Sequence, residues 1–251
     1  MSKTRAVLIG IPVLLLVALA AMAAWLQGLR RQDPMEALRR DPVAVRLVHD
    51  STYRDTTSAG ERRVFRELTY AAGEAGTIQF TTSRPAATTD RSLPLIVILA
   101  GLRTGRESLG YLDWHGPNLL VGYEYPYSRE TWYQSARFDQ VPAIRRAVLD
   151  VPWQVTWIAD RLADDPAVDR TRTALLGYSF GALFVPATQR LAAGSGRPFQ
   201  AAILAYGGTD IQALLEANLD VGPAPLRRAL AWTAASLLHP MEPGHHLPHL
   251  P

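Results

Sequence analysis

The sequence predicts an α/β domain built on a mostly parallel sheet flanked by helices, and three observations lead there. Apolar runs of strand length recur at residues 95–99, 118–123, 173–178 and 200–206. Such runs mark strands covered on both faces, as in parallel sheets. Between the second and third, Ile144, Val148, Val151, Val155, Ile158 and Leu162 follow one another at three- and four-residue steps, the spacing of one helix face. The third run passes straight into a Gly-x-Ser-x-Gly pentapeptide that opens a helix. With 251 residues the chain suits one such domain and a short appendage.

The first element is an apolar run from Ala6 to Leu26, preceded by Lys3 and Arg5 and followed by Arg30 and Arg31. It is about the ~20 residues a helix needs to cross a bilayer, and it has no polar face. Residues 1–31 therefore read as a signal anchor or transmembrane segment. A cleavable signal peptide is the competing reading, with Ala21-Met22-Ala23 as a small-residue cleavage site. A basic amino end leading into an apolar stretch is how export signals begin, which places the domain on the periplasmic or outer face. The arginines after the run argue for the opposite side. Residues 32–62 read as a linker, with a short helix at 34–40 capped by Asp33.

The α/β-type domain is expected over residues 63–251. Residues 64–70 and 77–82 read as an antiparallel hairpin around Ala72-Gly73-Glu74-Ala75-Gly76. The buried strands 95–99 and 118–123 follow, then a helix over 142–163 that Pro152 should kink or divide. After the strand 173–178 come a helix over 179–192, the strand 200–206 and two helices near 210–217 and 225–238.

The bulk chemistry narrows the function. Hydrophobic residues make up 48% and charged residues 20%, enough for a sizeable core. The net charge of +3 comes from arginines scattered among acids, Lys3 being the single lysine, so no nucleic-acid footprint emerges. The absence of cysteine excludes disulfides, thiolate metal sites and a cysteine nucleophile.

The chemistry sits in Gly177-Tyr178-Ser179-Phe180-Gly181. A serine at a sharp strand-to-helix turn is held in a strained backbone conformation with its hydroxyl raised above the sheet. Glycines two residues to either side let strand and helix approach without a Cβ collision. The bare pattern arises by chance in roughly one chain of this length in ten, so its weight comes from the strand before it and the helix after it.

From residue 64 to residue 208 the chain resembles the α/β-hydrolase superfamily, nearest to bacterial esterase- and acyl-peptidase-like serine hydrolases. The resemblance rests on Leu95-Ile96-Val97-Ile98-Leu99-Ala100-Gly101-Leu102-Arg103, on the elbow at Gly177–Gly181, and on Ala205-Tyr206-Gly207-Gly208. It implies Ser179 as nucleophile, a Ser–acid–His triad, no cofactor, and an oxyanion hole of two backbone N–H groups. Those donors would be Phe180 and, from the turn after the third strand, Leu102, with Arg103 as the alternative; each is typically worth ~3 kcal/mol. Arg103 and Arg106 read either as partners for an acidic substrate group or as solvated loop arginines.

The family order is Ser, then acid, then His, on two further strands. Neither strand is evident after Gly208, and the missing elements would need roughly 60–80 residues. The apolar, uncharged strand at 200–206 would then lie at a sheet edge without protection, so the domain reads as cut short at its C-terminal end. Asp210 is the candidate acid, with a helix N-cap as its other reading. His246 is the candidate base among His239, His245, His246 and His249, which otherwise read as a proline-broken, solvated tail. His115 is placed in a loop near the mouth of the site. Pro248 argues against helical metal spacing in His245-His246-x-x-His249, and no metal site is expected. Tyr123, Tyr125, Tyr127, Trp132 and Tyr133 read either as an acyl pocket lining or as cover for the sheet. The expectation is a membrane-anchored serine hydrolase of small carboxylic esters. Its rival is an inactive tethered fragment or binding domain.

Overall fold

The computed structural model describes residues 3–87, 92–101, 103–126 and 138–250, with residues 3–12 and 138 described by backbone alone. Seven strands form one mixed, mostly parallel sheet in the order β1-β2-β3-β5-β4-β6-β7. They are β1 (Arg46–Thr56), β2 (Arg62–Ala71), β3 (Thr77–Pro85), β4 (Leu93–Leu99), β5 (Leu119–Glu124), β6 (Val168–Tyr178) and β7 (Ala201–Ala205). β4 pairs in parallel with β5 on one side and β6 on the other, and β6 pairs in parallel with β7. The β1-β2-β3 meander joins β5 antiparallel. The chain runs from β4 outward to β5, then crosses back to β6. Open α/β sheets place their sites at the carboxyl ends of the strands that flank such a reversal, here β4 and β6.

The apolar runs form the strands they predict. Leu95, Val97 and Leu99 of β4 project into the main core, against Val148, Val151, Val155 and Ile158 of one helix and Val185 and Ala187 of another. These helices are α3 (Val141–Ala163) and α4 (Val185–Gly194), after α1 (Lys3–Leu29) and α2 (Pro34–Leu38). Ile98 faces the other way, into a small cluster with Phe65, Leu109 and Leu120 beneath the 3-10 segment Gly105–Tyr111. α3 continues through Pro152 as one helix rather than two. Gln154, buried two residues on, accepts from the Tyr123 hydroxyl at 2.8 Å and donates to the Ala75 carbonyl at 3.1 Å, tying the helix to the sheet.

α2 starts as expected, with Asp33 accepting from Met35 N at 3.0 Å. The linker reading of residues 46–56 is corrected: they form β1, paired with β2 from Arg46↔Ala71 to Thr56↔Arg62. This strand is solvated on both faces, so it carries no alternation of apolar and polar residues to announce it.

α1 stands off the domain, with Leu14, Leu15, Leu16 and Trp25 exposed, and docks only by its last turns. Leu26 is buried there. Just beyond the helix end, Arg30 donates to Ser236 Oγ at 2.8 Å and to Gln212 Oε1 at 3.1 Å, and its guanidinium lies 5.3 Å above the Trp232 ring. Among the described residues no helix is long and apolar enough to cross a membrane; the side chains of the apolar run are described only from Val13 onward. The chain closes with α5 (Ile211–Asn218), α6 (Ala224–Leu237) and three 3-10 turns. That tail is packed, with Met241 and His246 buried, which corrects the solvated reading.

Candidate active site

Ser179 follows β6 directly and takes φ = 53°, in the left-handed region. A residue with a side chain occupies that region at a cost, so surrounding packing must impose it. The two glycines of the pentapeptide show how. A Cβ on Gly181 would overlap the Leu99 carbonyl at the end of β4. One on Gly177 would collide with the Val185 side chain and lie 2.7 Å from Ala182 Cα. Strand β6, the turn Ser179–Leu183 and helix α4 are therefore pressed together at a separation only glycine permits. The turn opens as a 3-10 helix, and α4 proper begins at Val185 rather than at Ser179.

The three described non-glycine residues with positive φ are Ser179, Tyr206 and Asp210, all at or beyond the carboxyl ends of β6 and β7. Backbone strain is thus gathered at one end of the sheet, where Gly207 also approaches the elbow so closely that a Cβ would stand 2.7 Å from Ala182 Cβ.

Phe180 holds its place by its ring, which meets Tyr125 at 5.2 Å and Phe184 at 5.1 Å. Phe180 is the first residue after Ser179 in the 3-10 turn Ser179–Leu183. Leu102, the expected second donor, lies outside the described residues. The Gly101 carbonyl accepts from Thr104 N at 3.0 Å, Gly105 N at 3.3 Å and Thr104 Oγ1 at 2.9 Å. Sequence reasoning missed a second support here. The buried Tyr125 hydroxyl donates to the Ala100 carbonyl at 2.6 Å, holding the end of β4 beside the elbow. Burial first, and the Glu124 charge second, push this phenol well above its usual pKa, so it stays a donor. Tyr123 is likewise buried, and both rings cover the sheet; Tyr127, Trp132 and Tyr133 lie outside the described residues.

The expected acid and base are not brought to Ser179. Asp210 caps α5, accepting from Ala213 N at 3.0 Å. Its own N–H and that of Ile211 are gripped at 2.8 Å by Glu242, a residue with no sequence signal because it caps a helix some thirty positions earlier. His246 is fully buried, with Nε2 2.7 Å from the Pro240 carbonyl and Nδ1 without a hydrogen-bond partner among the described residues. Burial, the largest cause, lowers its pKa to about 4, so the ring is neutral at pH 7. Among the described residues neither side chain hydrogen-bonds Ser179 or the other.

His115 is also corrected. It precedes β5, which runs parallel to β4 as β6 does, so it sits at the end of the sheet opposite Ser179. There it bridges Ser83 Oγ and the Leu109 carbonyl, both at 2.9 Å. Arg106 pairs with Glu124 at 3.8 Å and Glu67 at 3.9 Å, which favours its structural reading. His239 and His245 meet ring to ring at 4.3 Å, and among the described residues no three His or acidic side chains converge to hold a metal ion.

No family model and no curated protein matches the chain. Solved structures do. An acetyl xylan esterase from Paenibacillus sp. R4 superposes with a TM-score of 0.59 at 14% identity, covering 86% of this chain and 73% of that one. Carboxyl esterase 2 from the mycorrhizal fungus Tuber melanosporum superposes at 0.51 and 14% identity, covering 76% of this chain and 65% of that one. At such identities the likeness is one of fold alone.

Proposed function

We propose that this chain is a serine hydrolase of small carboxylic esters, with Ser179 as its nucleophile. The observation that carries the proposal is the strained backbone at Ser179, imposed by two glycine contacts that tolerate no side chain. In the reaction the Ser179 hydroxyl adds to the ester carbonyl and loses its proton to a base, while Phe180 N–H, with Leu102 N–H as second donor, holds the oxyanion. The alkoxide leaves as the alcohol by taking that proton, and water then releases the acid and frees the serine. Asp210 and His246 are occupied elsewhere in this arrangement, so the reading rests on Ser179 and its turn. The esterase fold of the structural neighbours agrees with it.

We further propose that residues 1–31 hold the domain at a membrane, facing outward. The uninterrupted apolar run of α1 and its exposure support this. One experiment tests both parts: a membrane-impermeant fluorophosphonate applied to intact cells expressing the full chain, and separately to their lysate. Adduct at Ser179 in intact cells, absent from Ser179→Ala, is the expected result. Labelling in lysate alone would overturn the outward orientation. No labelling of folded protein in either sample would mean that the serine is not activated, and the chain would be a non-catalytic domain.

A further inference from the structure

The last ladder pair of β4 toward β5 is Ile98↔Gly122, and toward β6 it is Leu99↔Gly177. Ala100 is buried but lies beyond both ladders, so its carbonyl must find a partner outside the sheet. Two contacts hold it. On one side is the elbow, where a Cβ on Gly181 would overlap the Leu99 carbonyl and lie 2.9 Å from the Ala100 oxygen. On the other is Tyr125, the residue after β5, whose hydroxyl donates to that oxygen at 2.6 Å. The Tyr125 ring also meets Phe180 edge-on at 5.2 Å and lies 5.7 Å from Phe184. One buried side chain therefore touches both the end of β4 and the residue that follows Ser179. We infer that Tyr125 is the positioning residue of the oxyanion hole, setting the gap between the end of β4 and Phe180 where the substrate's carbonyl oxygen would sit. The inference rests on the reading of Ser179 as nucleophile and Phe180 as donor.

Tyr123 shows the contrast. It lies two residues earlier, is equally buried, and meets Tyr125 edge-on at 5.4 Å. Its hydroxyl donates to Gln154 of α3 and so fastens a helix to the sheet. Each tyrosine buries a hydroxyl, which costs stability unless it is bonded. Losing the hydroxyl at 123 would loosen helix packing, whereas losing it at 125 would free the strand end that faces the elbow. Ring and hydroxyl do separate work at Tyr125. The ring packs beside Phe180, and the hydroxyl carries that constraint across to β4. Oxyanion donors act only at hydrogen-bond distance from the developing charge, and a displacement of about 1 Å can cost roughly a hundredfold in rate.

The test compares a nitrophenyl acetate with its thiono analogue, in which sulfur replaces the carbonyl oxygen and draws less on the oxyanion donors. The ratio of the two kcat/KM values reports on the hole and is independent of how much of the protein is folded. With the full chain in detergent, Tyr125→Phe is expected to lower the oxygen-ester value roughly tenfold, and the thiono value by less. The ratio therefore falls. Tyr125→Leu, which removes the ring as well, should lower it further. Tyr123→Phe loses a buried hydroxyl bond of the same kind and should leave the ratio unchanged. Should Tyr125→Phe not fold, Phe180→Leu breaks the same ring contact from the elbow side, keeps its own N–H, and must lower the ratio instead. An active parent whose ratio survives these Tyr125 and Phe180 changes would overturn the inference alone, as would an equal fall in Tyr123→Phe. A folded parent that hydrolyses neither ester would overturn the nucleophile reading and the inference with it.

Discussion

Among the described residues the two edges of this sheet carry opposite chemistry. β1 has eleven residues, and Arg46, His49, Asp50, Arg54 and Asp55 are spaced along it. A register shift between Leu47 and His49 breaks its ladder. A further strand laid on β1 would have to bury those charges or compete with them, so the edge is closed to pairing. β7 has five residues, none charged, and only Ala202 and Ala205 are partly buried. The difference extends inward. Behind β1 lies a buried polar network, whereas behind β7 lies helix α4, on which the tail packs through Arg190 to the His245 carbonyl at 3.1 Å; the buried His246 of that tail has one satisfied nitrogen and one unsatisfied among the described residues. The lesson is that the edge of a sheet is not a property of the sheet. It is set by which side chains the neighbouring segment brings.

The sharpest way to break the comparison is at the network behind β1. Arg63 is fully buried and makes four hydrogen bonds: to Ser83 Oγ at 3.1 Å and to the carbonyls of Gly116, Ser83 and Asn118 at 2.6, 3.0 and 2.7 Å. Glu61 completes the arrangement by accepting from the N–H groups of His115 at 2.7 Å and Gly116 at 3.0 Å. Arg63→Met should cost about 3–5 kcal/mol, because it strands buried acceptors and leaves the Glu61 charge without its counter-charge. Arg63→Lys should recover only part of that, since one ammonium cannot replace a planar fork. Chemical denaturation of the three proteins checks it; a loss below 1 kcal/mol for Met would mean that the β1 flank does not depend on this network.

The β7 flank should show its weakness in acid. His246 titrates near 6.5 when unfolded and near 4 when folded, because burial disfavours the imidazolium. Between those values the unfolded chain binds more protons than the folded one, so stability is full above about pH 6.5 and falls as the pH drops toward 4. The shift corresponds to about 3 kcal/mol. Chemical denaturation at a series of pH values should show this slope, and His246→Phe should flatten it. A variant as acid-sensitive as the parent would assign the slope to other groups. His115 behaves alike on the other flank: burial lowers its pKa, and its bond to the Leu109 carbonyl opposes the shift as the Pro240 bond does for His246.

The same contrast explains what could be read from the sequence. β4, β6 and the elbow were legible because buried parallel strands appear as unbroken apolar runs, and because the close approach at Gly177 and Gly181 admits no other residue. The strand at β7 was legible as an apolar run, but that run reads as a strand covered on both faces, whereas Ile203 and Leu204 are exposed. β1 was not, since a strand solvated on both faces has no period to detect. The tail was not legible either. Its 3-10 turns follow from prolines, but the burial of Met241 and His246 and the grip of Glu242 on α5 are tertiary facts. His115 was assigned to the wrong end of the sheet because its place in the chain does not say at which end of a strand it lies.

The smallest expected effect concerns the charges of β1 themselves. Asp50 meets Arg66 in a two-point contact, Oδ1 to Nε at 2.8 Å and Oδ2 to Nη2 at 2.5 Å, and the Arg66 hydrogen bond holds its carboxyl below the usual pKa. Both groups are solvated, so Asp50→Asn should cost less than about 1 kcal/mol at neutral pH. That cost should shrink toward zero in about 1 M salt, where charges are screened within ~3 Å. Because the carboxyl pKa is depressed, its contribution is present at neutral pH and is lost as the pH falls through the acid range. Denaturation midpoints at low and high salt check the size. The substitution should also leave β1 closed to pairing, since Arg46, Arg54 and Asp55 remain. A loss of several kcal/mol would mean that β1 uses its charges to stay folded rather than to stay unpaired, and the two edges would then differ in stability and not only in what they admit.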